Sequence, residues 1–287
     1  MTPTVDDPQA HGLTRVGGRP PLLQYLRGVA KRKDFILSLA LYRIEAENQR
    51  QRLGLLWIVL KPILNAAVFG LVFGILMAST KTVPDFVSFL VIGVFLFEFF
   101  SSTMGSGAKA ITSNQALVQS LAFPRMALPV STVIQKFIGL LPTIPLLMVF
   151  LVIMGHRPTW NWLLIVPLLA LYYLFCQGVA FMTARLTVHL PDVTNLLPFV
   201  TRFFFYTTGI FFSFDLRFVD NPALLEGVQY QPLYAFITLS RELLLDSDPL
   251  YDVRPEFWFI IAGWSIAVFL IGTVFFWAAE ERYGRVD

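Results

Sequence analysis

Thr201, Phe205, Thr208 and Phe212 fall at i, i+4, i+7 and i+11 of the run Pro198–Phe214, with Arg202 and Tyr206 beside them. On a helix these positions share one face. Rings stack on the apolar faces of sugars, and hydroxyls exchange hydrogen bonds with sugar hydroxyls. This face therefore suits a wall that meets carbohydrate, although aromatic core packing would use the same residues. A second ridge has a related make-up. Trp57, Lys61, Asn65, Phe69 and Phe73 recur at every fourth position of Gly54–Met77. Lys61 would sit ~9 Å inside a bilayer and can snorkel back to the interface. Asn65 lies deeper and needs a protein partner or water. Either the ridge lines a cavity, or the asparagine simply bonds helix to helix. Glu98, in "FLFEFFSS", is expected to be buried by neighbours on both sides. A carboxylate at that depth is costly unless protonated, paired or wet, and Lys61 and Arg202 are its candidate partners.

Catalytic and nucleotide-binding patterns are missing. No GxxxxGK[ST], HExxH, GxSxG or EF-hand sequence occurs, so the chain builds no phosphate loop of its own. The one cysteine, Cys176, excludes an internal disulfide and a cysteine-based metal site. His11, His156 and His189 lie far apart in sequence. No metal site and no catalytic residue are expected.

The elements that must hold these faces are membrane helices. Hydrophobic residues make up 56% of the 287, only 14% are charged, and mean hydropathy is +0.65. A soluble domain carries about a quarter charged residues. Six apolar runs approach the ~20 residues a bilayer needs: Leu55–Met77, Phe86–Met104, Val133–Met154, Trp162–Ala184, Leu196–Phe214 and Phe257–Ala279. Nine Lys and Arg precede Leu55, and the 215–256 loop carries eight acids against three Arg. The basic side faces the cytoplasm, which puts both termini there and the acidic loop outside.

Around the spans, residues 1–21 are polar, lack a signal peptide and are expected to form a disordered cytoplasmic tail. Residues 22–52 read as an amphipathic interface helix. Leu22, Tyr25, Leu26 and Val29 are spaced helically, and after a break near Asp34 so are Phe35, Leu39, Tyr42 and Ala46. Pro62 is expected to kink the first span near Ile58. Ala66, Gly70, Gly74 and Ala78 offer a small ridge for close helix packing. Pro232 suits the first turn of a short helix, Leu233 to Leu245, which follows another candidate from Pro222 to Val228.

Three segments together resemble one family, the permease subunits of type-2 ABC exporters of polysaccharides such as O-antigen, teichoic acid and cell-wall galactan. Leu53–Gly74 looks like its opening "LGxLWxxLxPLL…VFxxxFG", Ser113–Ile134 like its "N…LI…FPRxxLPLSxV", and Gln231–Asp246 like its "NPLxxxIxxxRxxLL". The likeness runs from about Leu37 to the C-terminus. Gln231 stands where the family has Asn, Glu47 and Asn48 replace a basic–tyrosine pair, Arg52 replaces Ser, and Pro191-Asp192 replaces "RD".

The resemblance implies an all-α membrane protein of the bacterial cytoplasmic membrane, with residues 53–287 as a six-span domain. It implies a homodimer that exports a lipid-linked polysaccharide, with ATP and Mg²⁺ bound by two separate ATPase subunits. Residues 105–131 would be the cytoplasmic coupling loop, with Ser113, Asn114, Gln115, Val118, Phe123, Pro124 and Arg125 meeting the ATPase, and Leu117, Leu121 and Phe123 as its apolar side. Residues 215–256 would form the external gate, with Pro232 and Arg241 in it. The first and fifth spans would wall the channel, Lys61 and Arg202 meeting lipid phosphates and Trp57, Asn65, Phe69, Phe73, Phe205, Tyr206, Thr208 and Phe212 meeting cargo. A type-2 permease for a small lipid or drug, a membrane enzyme acting on lipid-linked sugars and an ATP-independent transporter are the rival readings. The N-terminal composition leans toward galactan among the cargos.

Overall fold

The computed structural model describes residues 20–49, 56–69, 71–72, 85–121, 123–214, 227–245 and 254–283, and every regular element among them is helical. The expected tail, the small ridge beyond Phe69 and the segment before Gly227 therefore lie outside the described residues, apart from Pro20 and Pro21 of the tail.

Two helices come first, α1 (Leu22–Lys31) and α2 (Lys33–Gln49). They break at Arg32, two residues before the expected place. Tyr25 and Val29 of α1 are buried as their spacing predicts. On α2 the expected Phe35 and Leu39 are half-buried against the same cluster as the buried Ile36, and Ala40 is fully buried, whereas Tyr42 is 68% exposed. α3 (Leu56–Phe69) runs through Pro62 as one helix.

α4 (Phe86–Ala108) is the central post, buried on every side from Ser88 to Phe97. A 3-10 turn, Thr112–Asn114, leads into the six-residue α5 (Gln115–Ser120). α6 (Ala127–Leu140) and α7 (Thr143–Ile153) follow, then a 3-10 turn (Trp160–Leu164), α8 (Ile165–His189), α9 (Val193–Thr207), α10 (Pro232–Leu244) and α11 (Glu256–Trp277). Among the described residues, four stretches are long and apolar enough to cross a membrane: Phe86–Ala108, Ala127–Ile153, Trp160–His189 and Glu256–Trp277. α9 is shorter than expected. It stops at Thr208, and Gly209 then turns the chain with φ +69°, a conformation that other residues adopt only at a steric cost.

In a bilayer, apolar burial does little to drive helix onto helix, so close packing and buried hydrogen bonds carry the association. α8 and α11 meet backbone to backbone. A Cβ on Gly178 would collide with the Val268 carbonyl, and one on Gly272 with the carbonyl of Gly178. Gly107 of α4 lies against α8, where an added Cβ would stand 2.8 Å from that of Ala180. The Tyr172 hydroxyl donates to the Leu96 carbonyl at 2.9 Å, fixing α8 to α4.

α10 is only 13 residues long, yet Leu233 to Leu244 are all buried. Phe236 packs at a tilt on Tyr172 at 4.6 Å and on Phe175 at 5.7 Å. Its N-cap is Gln231, whose side-chain oxygen accepts from the Tyr234 N–H, so the glutamine does the capping work an asparagine would do.

Candidate functional site

Two clefts flank α4. The first, of about 420 Å³, lies between α4, the start of α3 and α6, and closes against the end of α2. Trp57, Lys61 and Asn65 line it together, as i+4 spacing requires, with Gln135 opposite. Lys136 is held at its edge by Glu47, 3.2 Å away. Phe69 continues the α3 helix, but its side chain and all of Phe73 lie outside the described residues.

The second cleft, of about 680 Å³, lies between α4 and α9. Thr201, Arg202, Phe205 and Tyr206 form its α9 wall. Phe205 is fixed by edge-on contacts, 5.1 Å to Phe97 and 5.1 Å to Phe211, while Tyr206 is 58% exposed. Two residues expected on this wall are elsewhere. Thr208 is fully buried at the end of α9, with its hydroxyl donating to the Phe204 carbonyl. Phe212 lies beyond the Gly209 turn and packs on Phe214 at 4.8 Å. A single helical face was projected through both positions, and the turn ends the helix before Phe212.

Glu98 also differs from expectation. It is exposed rather than buried, and it lines both clefts. It shares one with Lys61 and the other with Arg202, but among the described residues it forms an ion pair with neither. Its neighbours Phe97, Phe99 and Phe100 point into the packed sides of α4 and leave its own direction open. Ser101, Ser102, Ser106 and Lys109 line the second cleft with it. Their spacing could have flagged them in the sequence, but each was hidden in an otherwise apolar span.

At the C-terminal end of α4, the 109–126 connection is held from three directions. Ser113, Gln115 and Gln119 are exposed, and Val118 is the buried anchor. Leu121, expected on the apolar side, is 51% exposed, because α5 ends at Ser120 and the chain turns extended there. Asn114 accepts from Arg43 at 3.1 Å. The same guanidinium donates to Thr132 at 2.7 Å and Ser131 at 3.2 Å, so α2 ties the connection to the start of α6. Burial lowers the Arg43 pKa, with Glu47 acting the other way. Arg43 was not a candidate residue, because its partners are distant in sequence.

Phe123 packs on Phe35 at 5.4 Å. Arg125 donates its N–H to Glu280 at 3.1 Å and its guanidinium lies 3.5 Å from the same carboxylate. The Tyr25 hydroxyl donates to the other Glu280 oxygen at 2.6 Å and accepts from the Met126 N–H at 3.1 Å. Burial pushes the Glu280 carboxyl up from its ordinary range, opposed by the Tyr25 and Arg125 bonds. Burial first, then the Glu280 charge, pushes the Tyr25 phenol up.

At the opposite end, Pro232 opens α10 in its first turn. Arg241 is 2% exposed. It donates to the carbonyls of Phe89 at 3.0 Å, Gly209 at 3.0 Å and Ile210 at 3.2 Å, and covers the Phe89 ring at 3.3 Å. It is a clamp joining α10, α4 and the end of α9. Glu242 is buried beside it and accepts from Arg254 at 2.6 Å.

The ABC-2 type transporter family model matches residues 39–244. Similar proteins include the O-antigen export system permease protein RfbA of Klebsiella pneumoniae, 24% identical over 255 residues, which are 88% of this chain and 95% of that one. The permease of the same name from Myxococcus xanthus is 23% identical over 262 residues, 91% of this chain and 96% of that one. The polysialic acid transport protein KpsM of Escherichia coli is 24% identical over 261 residues, 88% and 96% of the two chains.

Proposed function

The chain belongs to the ABC-2 type transporter family, and we propose from that premise that it is the membrane permease subunit of an ATP-driven exporter of lipid-linked polysaccharide. It is a transporter subunit, not an enzyme. The observation that carries the cargo class is the breadth of the likeness: two O-antigen export permeases align over 95% and 96% of their own lengths. The cleft beside α9 supports the same class, since Phe205 and Tyr206 face Ser101 and Ser102 across it.

In the working complex, two copies pair with two ATPase subunits that bind ATP and Mg²⁺. Each copy crosses the bacterial cytoplasmic membrane six times. α3 belongs to the first crossing and α9 to the fifth, both termini staying inside. Charge supports that direction, with the basic segment before Leu55 on one side and the acidic 215–256 loop on the other. α1 and α2 lie in the cytoplasmic interface, where Leu23, Leu37, Leu41 and Tyr42 are free to enter it. α10 is re-entrant, reaching into the bundle to meet Tyr172 and Phe175, and holds the outer end through Arg241.

Ser113, Gln115, Phe123, Pro124 and Arg125 take the push of the ATPase. The exposed polar side of α5 and the triple anchoring of its ends support this, because a loop tied to α1, α2 and the turn after α11 moves as one body. Cargo enters between α3 and α9, with Lys61 and Arg202 meeting phosphate.

The test is co-purification with the partner ATPase in nanodiscs. Two permease and two ATPase chains per particle are expected. A chain that assembles with no ATPase would overturn the assembly.

A further inference from the structure

The α1–α2 pair caps one end of the bundle. A single apolar cluster joins Tyr25, Val29 and Ile36 to Ala127, Ala184 and Phe276, which stand near the ends of three of the stretches long enough to cross a membrane. Hydrogen bonds fix the same level. The Trp277 indole donates to the Pro20 carbonyl at 2.9 Å, and Arg43 donates to Thr132 at 2.7 Å. Helices held across the ends of several spans turn their outward side to a membrane boundary. That side carries two ridges with residues at every fourth position, Leu23, Arg27 and Lys31 on α1 and Lys33, Leu37 and Leu41 on α2, and all six residues are exposed. Leucines stand at the far ends of the ridges and cations where the helices meet. Arg32, also exposed, fills the break between them. The break is held by backbone bonds, from the Arg32 N–H to the Val29 carbonyl at 3.0 Å and from the Ile36 N–H to the Arg32 carbonyl at 2.9 Å.

The charge of this corner is uncompensated. Asp34 is the one acid between Leu22 and Ile44, and among the described residues Arg27, Lys31, Arg32 and Lys33 form no ion pair. The turn after α11, which touches α1, adds the exposed Glu281 and Arg282, one of each sign. Water would solvate the cations but not the leucines that share their ridges. A headgroup layer meets both, with acyl chain for the leucines and phosphate for the cations. The two arginine forks match phosphate oxygens in pairs, and a zwitterionic headgroup offsets its own phosphate where an anionic one does not. We propose that the α1–α2 corner is a binding site for the headgroups of anionic phospholipids. The inference rests on the interface placement of α1 and α2 and adds the class of lipid they select.

The test uses the full chain in nanodiscs of equal parts phosphatidylcholine and phosphatidylglycerol, with and without the ATPase. Ala30→Cys, exposed between Arg27 and Lys31, carries a fluorophore, native Cys176 being buried. A trace of either lipid bears a quencher near its headgroup. Labelled phosphatidylglycerol should quench about tenfold more effectively than labelled phosphatidylcholine at low salt, and added salt should narrow the difference. Arg27→Gln, Lys31→Gln, Arg32→Gln and Lys33→Gln together should abolish the preference with the melting temperature unchanged. Should that variant unfold, the first two and the last two substitutions are read as separate pairs, each expected to weaken the preference. Equal quenching by the two lipids, or a preference that survives the substitutions, would overturn the site and leave the helices in the interface. No quenching by either lipid would overturn the interface placement as well. A preference lost when the ATPase binds would assign the corner to that protein and overturn the lipid site.

Discussion

The Tyr25 hydroxyl lies 2.6 Å from the Glu280 carboxylate, joining α1 to the turn after α11 across 255 residues of sequence. Arg125 reaches the same carboxylate, so the connection after α5 shares this anchor. Glu280→Ala strands a buried phenol and a buried N–H, and should cost about 1–3 kcal/mol. Thermal unfolding in nanodiscs reads the loss.

The same carboxyl makes stability depend on pH. Its folded pKa is raised above the ordinary 4.5. Between those values the folded state binds the extra proton, so stability falls as pH rises through that window. Glu280→Gln keeps a neutral side chain and should flatten that part of the profile. Melting temperature measured from pH 4 upward in wild type and variant checks the sign.

Gly178 and Gly272 place two backbones in contact. Either glycine changed to alanine must push α8 and α11 apart, at about 1–3 kcal/mol or more. Gly263, with open space around it, is the control and should tolerate alanine. Comparing the three melting curves tests whether this crossing is as close as described.

Arg43 bonds to the connection between α4 and α6, proposed to dock the ATPase, and to α6 itself at once. Arg43→Ala should leave the partner's basal ATP hydrolysis intact and lower cargo-linked export about tenfold. Arg43→Lys should restore little, since one ammonium cannot replace a fork that reaches three acceptors. The ratio of export to ATP hydrolysed is the readout.

Phe205 and Phe212 should now behave differently. Phe205→Ala opens the cleft wall and should slow export with normal assembly. Phe212→Ala removes a contact with Phe214 and should act through stability alone. Export rates normalised to folded protein separate the two.

Much of this was legible in the sequence. Hydrophobic runs located α4, α8 and α11 to within a few residues at most ends, and Pro232 marked the start of α10. The i+4 ridge set Trp57, Lys61 and Asn65 on one face, and all three line one cleft. What sequence could not give was direction. Glu98 sits among phenylalanines on both sides, and only the packing of α4 reveals that its own face is open. Thr208 and Phe212 fit a helical face that Gly209 ends. Arg43 and Glu280 gain their roles from partners 71 to 255 residues away, which no local pattern encodes.

The proposed pairing of this chain with a separate ATPase carries lipid-linked glycan across a membrane. Its most direct measurement uses proteoliposomes holding both proteins and a lipid-linked glycan loaded on one face, with a lectin added to the other. Lectin-accessible glycan is expected only when ATP, the ATPase and this chain are all present. Glycan that crosses without ATP, or that never crosses with the full complex, would contradict it.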